Sequence, residues 1–382
     1  MDRYTLRKKE RPKFVENLRN LDYILLISVL ILSSIGIVAI NSAQESLTRR
    51  QIQGLIFSTF ILFLLALFFN YDILIKGWWF YYILNIVLLV AVFVIGRSSH
   101  GASRWISLGS FSFQPSELTK IVLILFYSKF IMNYKDKLKS YWKFILCFVL
   151  LLPPLGLVYK QPDLSTTIVI AVIFATVVFV AGIDKRLVWA VVITAIPTAV
   201  FMVYSAVSWE KHPFFSVYQQ NRIRAWLHPE DYSTAEALQT INSLMAIGSG
   251  QLAGKGVNNS EITSVLNSGY ISESQTDLIF TVIGEEMGFI GGCAVIILLL
   301  VISIRCLAIS FKAKDIAGRI IAASVAVWIG LQGFMNIGVA TGSIPNTGIP
   351  LPFVSSGLTS LICVFAAVGV VLNVGAVSKK RY

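Results

Sequence analysis

The sequence predicts an all-helical integral membrane protein, and three observations predict it. Of the 382 residues, 56% are hydrophobic and 14% charged, with a mean hydropathy of +0.74; soluble domains lie nearer half apolar and a quarter charged. The apolar residues gather in ten runs, roughly 22–40, 51–69, 78–95, 117–133, 141–158, 164–182, 187–207, 278–309, 318–340 and 356–377. Each is close to the length of about 20 residues that a spanning helix needs. The basic residues are shared unevenly between the segments that join the runs, as membrane topology requires. This composition excludes an ordinary soluble enzyme, and it excludes disorder, which needs few apolar residues and high charge. The runs are also too long for porin-type strands of about 10 alternating residues.

Taken in order, the first run follows a basic tail at 1–20 and exceeds the apolar core of a cleaved signal peptide, so it reads as a retained anchor. The fourth is the most polar, carrying Glu117, Lys120 and Lys129. With the N-terminus inside, about two-thirds of the 32 Lys and Arg fall in the tail, in the short loops near 76, 135–143, 185–186 and 312–319, and at 379–381. Arg49, Arg50, Arg97, Arg104, Lys160, Lys211, Arg222, Arg224 and Lys255 form the outer minority, although the outer loops are longer. Both termini are therefore expected in the cytoplasm. The net charge of +12 then reports topology and attraction to anionic headgroups, and no nucleic-acid partner is expected. The chain reads as one polytopic domain over 1–382, with a large outer loop at 208–277 between the seventh and eighth spans. Inside that loop AEALQTINSLMAI at 235–247 has helical periodicity and is expected on or in the outer interface. Cys147, Cys293, Cys306 and Cys363 all fall in apolar runs and read as buried free thiols. His100, His212 and His228 lie in outer loops without metal-ligand spacing, so no structural zinc is expected.

Few acidic residues fall in or beside a run, and such charges face a cavity or a partner. Asp22 sits at an inner helix end, where the helix dipole favours a carboxylate. Glu117 and Lys120 are three apart and share a helix face; a local ion pair and a functional pair are equally good readings. Asp277 lies where the long outer loop re-enters the membrane, and it reads either as a helix cap or as a functional carboxylate. Glu285 and Glu286 lie deeper in the same run, between Gly284 and Gly288, with structural pairing slightly favoured over a proton relay. SIPNTGIPLPFVSSG at 343–357 breaks helical order on the outer side, which is tolerated where backbone lines a cavity. The residues alone give a multi-span protein with an outward polar cavity, and they do not separate an enzyme from a transporter.

Six further segments stand in order along the chain: GASRWISLGSFSFQPSELTK at 101–120, QPDLSTT at 161–167, YQQNRIRAWLHPED at 218–231, INSLMAIGSGQLAGKG at 241–256, ISESQTDLIFTVIGEEMGFIG at 271–291 and NIGVATGSIPNTGIPLPFVSSG at 336–357. Together they resemble the SEDS family (shape, elongation, division and sporulation; RodA/FtsW-like). The chain departs from the family pattern at Ile271-Ser272-Glu273, Asn242, Gln251 and Ser355 to Ser360, none of which removes an acid or base.

The resemblance implies a peptidoglycan glycosyltransferase in the bacterial cytoplasmic (inner) membrane, its active site facing outward, polymerising lipid II beside a class B penicillin-binding protein. It places the family's essential acid at Asp277 and its lysine at Lys120, with Glu117 as companion. Expected substrate contacts are Arg50, Arg104, Gln114, Ser116, Gln161, Asp163, Arg222, Thr276, Pro345 and Ser355, with Lys160 and Arg224 as further outer cations for a pyrophosphate. Asp277 suits a general base for a sugar hydroxyl. Lys120 either holds Asp277 ionised or serves the pyrophosphate. No cofactor is expected beyond a divalent cation, Mg2+ or Mn2+, as candidate. The rivals are a lipid II flippase or other lipid-linked transporter, and an idle scaffold that activates its partner.

Overall fold

The computed structural model describes residues 13–99, 102–108, 111–134, 141–182, 185–209, 213, 215, 217–227, 235–257 and 273–379. Most of the basic tail, the three histidines and much of the 208–277 loop lie outside the described residues.

Every apolar run is helical. In chain order the helices are α1 (Lys13–Asn20), α2 (Tyr23–Ala43), α3 (Glu45–Phe63, continuing as a π turn, Leu64–Phe68), α4 (Tyr71–Leu74), α5 (Trp78–Ile95), α6 (Pro115–Tyr134), α7 (Tyr141–Val149) and α8 (Leu152–Lys160). They continue as α9 (Leu164–Val180), α10 (Lys185–Ser208), α11 (Val217–Leu227), α12 (Ala235–Ser249), α13 (Ile279–Lys312), α14 (Ile316–Ala340) and α15 (Leu358–Lys379). Among the described residues, six helices are long and apolar enough to cross a membrane: α2, α3 with its π turn, Tyr71–Ile95, α13, α14 and α15. The protein is a multi-pass membrane protein. α14 and α15 form its enclosed centre, whereas α3 and α5 show large apolar side chains such as Phe57, Phe60, Phe80 and Val94 to the surroundings.

Two departures from the expected pattern have local causes. The fold is mostly helical rather than all-helical, because the loop after α5 forms a three-stranded antiparallel sheet, β1 (Arg97–Ser99), β2 (Ala102–Leu108) and β3 (Phe111–Phe113). Its short alternation of apolar and small polar residues pairs Ile106 with Phe113 and Ser107 with Ser112. The fifth run is also split into α7 and α8, since Pro153 and Pro154 begin a new helix where they need no amide hydrogen.

One end of the bundle is tied by polar contacts. Asp22 caps α2 by accepting from Leu25 N at 3.1 Å and also binds the Arg305 guanidinium of α13. The π turn leaves carbonyls that Asn373 and Asn17 satisfy at Ala66 (3.0 Å) and Leu67 (2.9 Å).

α13 is broken at Gly288 (φ 64, ψ −162). The loop after α12 replaces the lost helical bonds: Lys255 N and Gly256 N donate to the Glu285 and Glu286 carbonyls (2.9 and 3.0 Å), and Phe289 N and Ile290 N donate to Gln251 and Leu252 (2.9 and 3.2 Å). Lys255 Nζ also pairs with Glu285 Oε1 at 2.8 Å. A Cβ at Gly288 would meet Leu252 O at 2.7 Å, in a backbone conformation that side chains resist. Gly288→Ala is therefore expected to cost about 3 kcal/mol or more, read as an earlier thermal transition in detergent. Gly156→Ala, with nothing within 4 Å, is the control that should not move it.

Candidate active site

The site is built where the turn before α13, the loop after α14, and the N-terminal ends of α6 and α9 converge. The turn spans 273–278 and starts at Glu273 with positive φ (58°). Thr276 N donates to Glu273 O at 3.1 Å and Thr276 Oγ1 to the Glu273 carboxylate at 2.9 Å. The turn is pinned from outside: Ser355 Oγ donates to Thr276 O (2.6 Å), Ser356 N to Gln275 O (2.9 Å) and Asn336 Nδ2 to Asp277 O (2.8 Å). Asp277 does not cap α13; the cap position is Leu278 and has no side-chain bond. The carboxylate of Asp277 is thus not spent on the helix end.

The loop facing it has no regular structure over 345–351. Its carbonyls are nonetheless held one by one, as enclosed backbone demands. Arg222 of α11 donates to Asn346 O (3.1 Å) and Ser165 of α9 to Thr347 O (2.6 Å). Asn336 and Gln332 of α14 donate to Ile349 O (2.8 Å) and Pro350 O (2.9 Å). Between these two pairs, Gly348 has φ +67, and a Cβ there would lie 3.3 Å from Asp277 Oδ2 and 3.5 Å from an Arg222 nitrogen. Glycine lets the backbone lie against the carboxylate and the guanidinium together.

The third wall joins α6 and α9. Asp163 caps α9 by accepting from Thr166 N at 3.1 Å, and its other oxygen lies 3.4 Å from both Gln114 Nε2 and Ser116 Oγ. Arg104 of β2 donates to the Gln161 carbonyl at 3.1 Å and to that of Pro162. Gln161 itself reaches Leu89 O at 3.2 Å. One turn into α6, Lys120 is fully enclosed, bonded to Glu117 (2.7 Å) and Gln332 (2.9 Å) and lying over the Trp328 ring at 4.8 Å.

Asp277 lies in the turn outside the spanning helix and keeps partial exposure while protein crowds around it. Burial pushes its pKa up to about 6; Arg222 and Arg104 pull it down, and Glu273 and Asp163 push it up. The cations acting on Asp277 are therefore these two arginines, while Lys120 has Glu117 as its ion partner.

The expected site residues separate into groups. Arg104, Gln114, Ser116, Gln161, Asp163, Arg222, Thr276 and Ser355 join Asp277 through the contacts above, and Pro345 lies in the facing loop. Glu117 and Lys120 reach that loop through Gln332. Arg50 lines a cavity beside Ser356 and Gly357. Lys160 is exposed at the end of α8. Arg224 is used structurally, donating to the Ala206 (3.2 Å) and Trp209 carbonyls at the end of α10. Sequence reasoning missed Ser165, Gln332, Asn336 and Gly348. The signal for two of them was present: Gln332 and Asn336 are polar, four apart, and inside an apolar run.

Among the described residues no group of three or more His, Cys, Asp or Glu side chains is placed to hold a metal ion. All four cysteines are free; Cys147, Cys306 and Cys363 are buried and Cys293 is half-buried.

Fold and site define a class: a multi-pass membrane protein with an acidic side chain set among arginines and immobilised backbone at one end of its helical bundle. Residues 17–380 match the FtsW/RodA/SpoVE family, described as cell cycle protein, and the chain belongs to it. It is 33% identical over 295 residues to a probable peptidoglycan glycosyltransferase FtsW of Wigglesworthia glossinidia brevipalpis, covering 76% of this chain and 74% of that one. It is 31% identical over 366 residues to the protein of the same description in Geobacter sp. (strain M18), covering 92% and 96%. A solved structure described as "Structural coordination of polymerization and crosslinking by a peptidoglycan synthase complex" aligns with a TM-score of 0.76 at 28% identity, covering 95% of this chain and 98% of that one. The crystal structure of the rod shape determining protein RodA of Thermus thermophilus aligns with a TM-score of 0.68 at 27% identity and the same coverage.

Proposed function

We infer that the chain is a peptidoglycan glycosyltransferase that polymerises lipid II into glycan strands. The observation that carries this reading is Asp277, in a chain whose relatives are described as probable peptidoglycan glycosyltransferases, crowded enough to raise its pKa and flanked by Arg222 and Arg104. A base is most useful when its pKa lies near the working pH.

In the reaction, Asp277 takes the proton of the acceptor's GlcNAc 4-hydroxyl as that oxygen attacks the anomeric carbon of the donor MurNAc. The bond from that carbon to the donor's diphosphate breaks, and undecaprenyl pyrophosphate leaves with the electron pair. The transition state has oxocarbenium character, as in glycoside hydrolysis. Arg222 and Arg104 stabilise the charge gathering on the diphosphate. Gln114, Ser116 and Asp163 offer polar groups to the sugars. Lys120 acts as a positioning residue, because it holds Gln332 and Gln332 holds Pro350 O. Among the described residues no side-chain cluster forms a protein cage for a divalent cation.

Ten spans, cytoplasmic termini, an outward-facing site in the cytoplasmic membrane and one polytopic domain over 1–382 complete the proposal. The distribution of basic residues and the coincidence of all ten runs with helices support it. A class B penicillin-binding protein is the proposed partner, supported by the likeness to a chain of a peptidoglycan synthase complex.

Arg222→Gln is expected to raise the Asp277 pKa, so the acid limb of the polymerisation pH profile should move up by roughly one unit. An unmoved limb in an active variant would break the link between the two residues. The transporter rival draws on the broken α13 and its half-buried Lys255–Glu285 pair, but the loop at 250–257 fills that break. Lipid II added to one leaflet of sealed vesicles decides: strands support the polymerase, and exchange between leaflets without strands supports transport. Including the class B protein keeps dependence on a partner from imitating inactivity.

A further inference from the structure

A small cavity of about 80 Å³ lies at the end of the bundle away from Asp277. α13 and α15 both start beside the site and run from it to this cavity. The 22 residues of α15 cover about 33 Å, close to the thickness of the hydrocarbon core. The cavity thus sits at the headgroup level of the opposite leaflet. Its lining includes Asp22 at the head of α2, Arg305, Ala308 and Lys312 of α13, and Lys379 at the end of α15.

Charge is out of balance there. Asp22 accepts from Arg305 Nε (3.1 Å) and Nη2, which orients the guanidinium and neutralises it, and leaves Nη1 without a hydrogen bond among the described residues. Lys312 and Lys379 have no carboxylate partner among the described residues, whereas Lys314, two positions on, has Asp72 and Asp315. A helix C-terminus by itself favours a lysine. Here two helices bring theirs to one cavity whose wall already holds a guanidinium. Beside the cavity Leu300, Ile304, Leu307 and Phe311 are exposed along one stripe of α13.

We propose that this cavity holds the phosphate of an anionic phospholipid. A phosphodiester is the anion that a bilayer presents at this depth, and a guanidinium with two ammonium groups suits its oxygens. The two uncompensated lysines favour a lipid of net negative charge over a zwitterionic one. The cavity takes the phosphate, and the apolar stripe of α13 takes the acyl chains outside it. Such binding is confined to one place, unlike the diffuse attraction that basic residues have for an anionic leaflet.

Native mass spectrometry of the full chain, released from micelles that hold phosphatidylglycerol or phosphatidylcholine with the same acyl chains, tests the site. Phosphatidylglycerol is expected to bind about tenfold tighter or more, and Lys312→Gln/Lys379→Gln should erase that preference. Arg19→Gln/Lys76→Gln removes the same charge from exposed positions outside the cavity and should leave the preference in place. Equal binding of the two lipids to the unaltered chain would overturn the proposal. An equal loss in both double variants would replace the site by diffuse attraction. Glycerol 1-phosphate is expected not to compete; full competition at equal concentration would replace the lipid by a free phosphate. If the lysine variant does not fold, Ala308→Trp fills the cavity without touching charge and should give the same loss, and unchanged binding there would overturn the location. Binding at this end needs no turnover at Asp277, so failure of the polymerase reading leaves the result legible.

Discussion

Asp277→Asn is expected to lower lipid II polymerisation by about 10²–10⁴-fold, the range that removal of a general base produces, in a protein more heat-stable than wild type at pH 8. The two effects share one cause. The folded pKa of about 6 lies above the ordinary value of 3.8. The native state therefore holds this proton more tightly than the unfolded chain and loses relative stability as pH rises through about 6. At pH 8 the ionised carboxylate costs about 3 kcal/mol, which the neutral amide does not. The stability gain should shrink toward zero as pH falls to about 4. Polymerisation assays on purified protein and thermal unfolding in detergent at both pH values check the pair. Near wild-type strand formation would end the assignment of Asp277 as base.

Lys120→Met alone is expected to cost about 3–5 kcal/mol, because it strands Glu117 as an unpaired buried charge. Glu117→Gln/Lys120→Met removes both charges and should restore folding. Polymerisation should return only in part, about 10-fold to 10²-fold below wild type, because Gln332 loses a bond that fixes its grip on Pro350 and small misplacements are costly. Full recovery would confine Lys120 to holding the bundle together, and a folded, wholly inactive double variant would move Lys120 to the substrate. Melting curves and strand-length gels, read together, separate these outcomes.

The helices were legible because burial in lipid writes itself into composition: each run needs only length and apolarity. The sheet at 97–113 was not, since its strands are too short for alternation to stand out. Asp277, Glu117 and Lys120 were visible as charges that a membrane tolerates only for a reason. The Glu117–Lys120 ion pair was readable from its spacing of three, and it is present. Their other partners were not: the reading in which Lys120 holds Asp277 ionised gives way to Lys120 against Glu117 and Gln332, with Arg222 and Arg104 acting on Asp277. Pairing depends on how α6, α11, α14 and β2 rotate and approach, and no single segment encodes that. Gly288 looked like one of two small residues for helix contact; its positive φ, which breaks α13, appears only once the loop at 250–257 is seen to supply the missing bonds.

The backbone at 346–350 behaves as a gauge of helix positions. It has little internal structure to hold its shape, and its carbonyls hang from α9, α11 and α14 separately. Hydrogen bonds weaken sharply once stretched or bent, so a displacement of any of these helices by about an ångström is converted into a change of loop shape. Gly348 delivers that change directly to the Asp277 carboxylate and the Arg222 guanidinium. A shift of α11, which carries Arg222 and holds Asn346 O, is therefore expected to change how base and cation face each other.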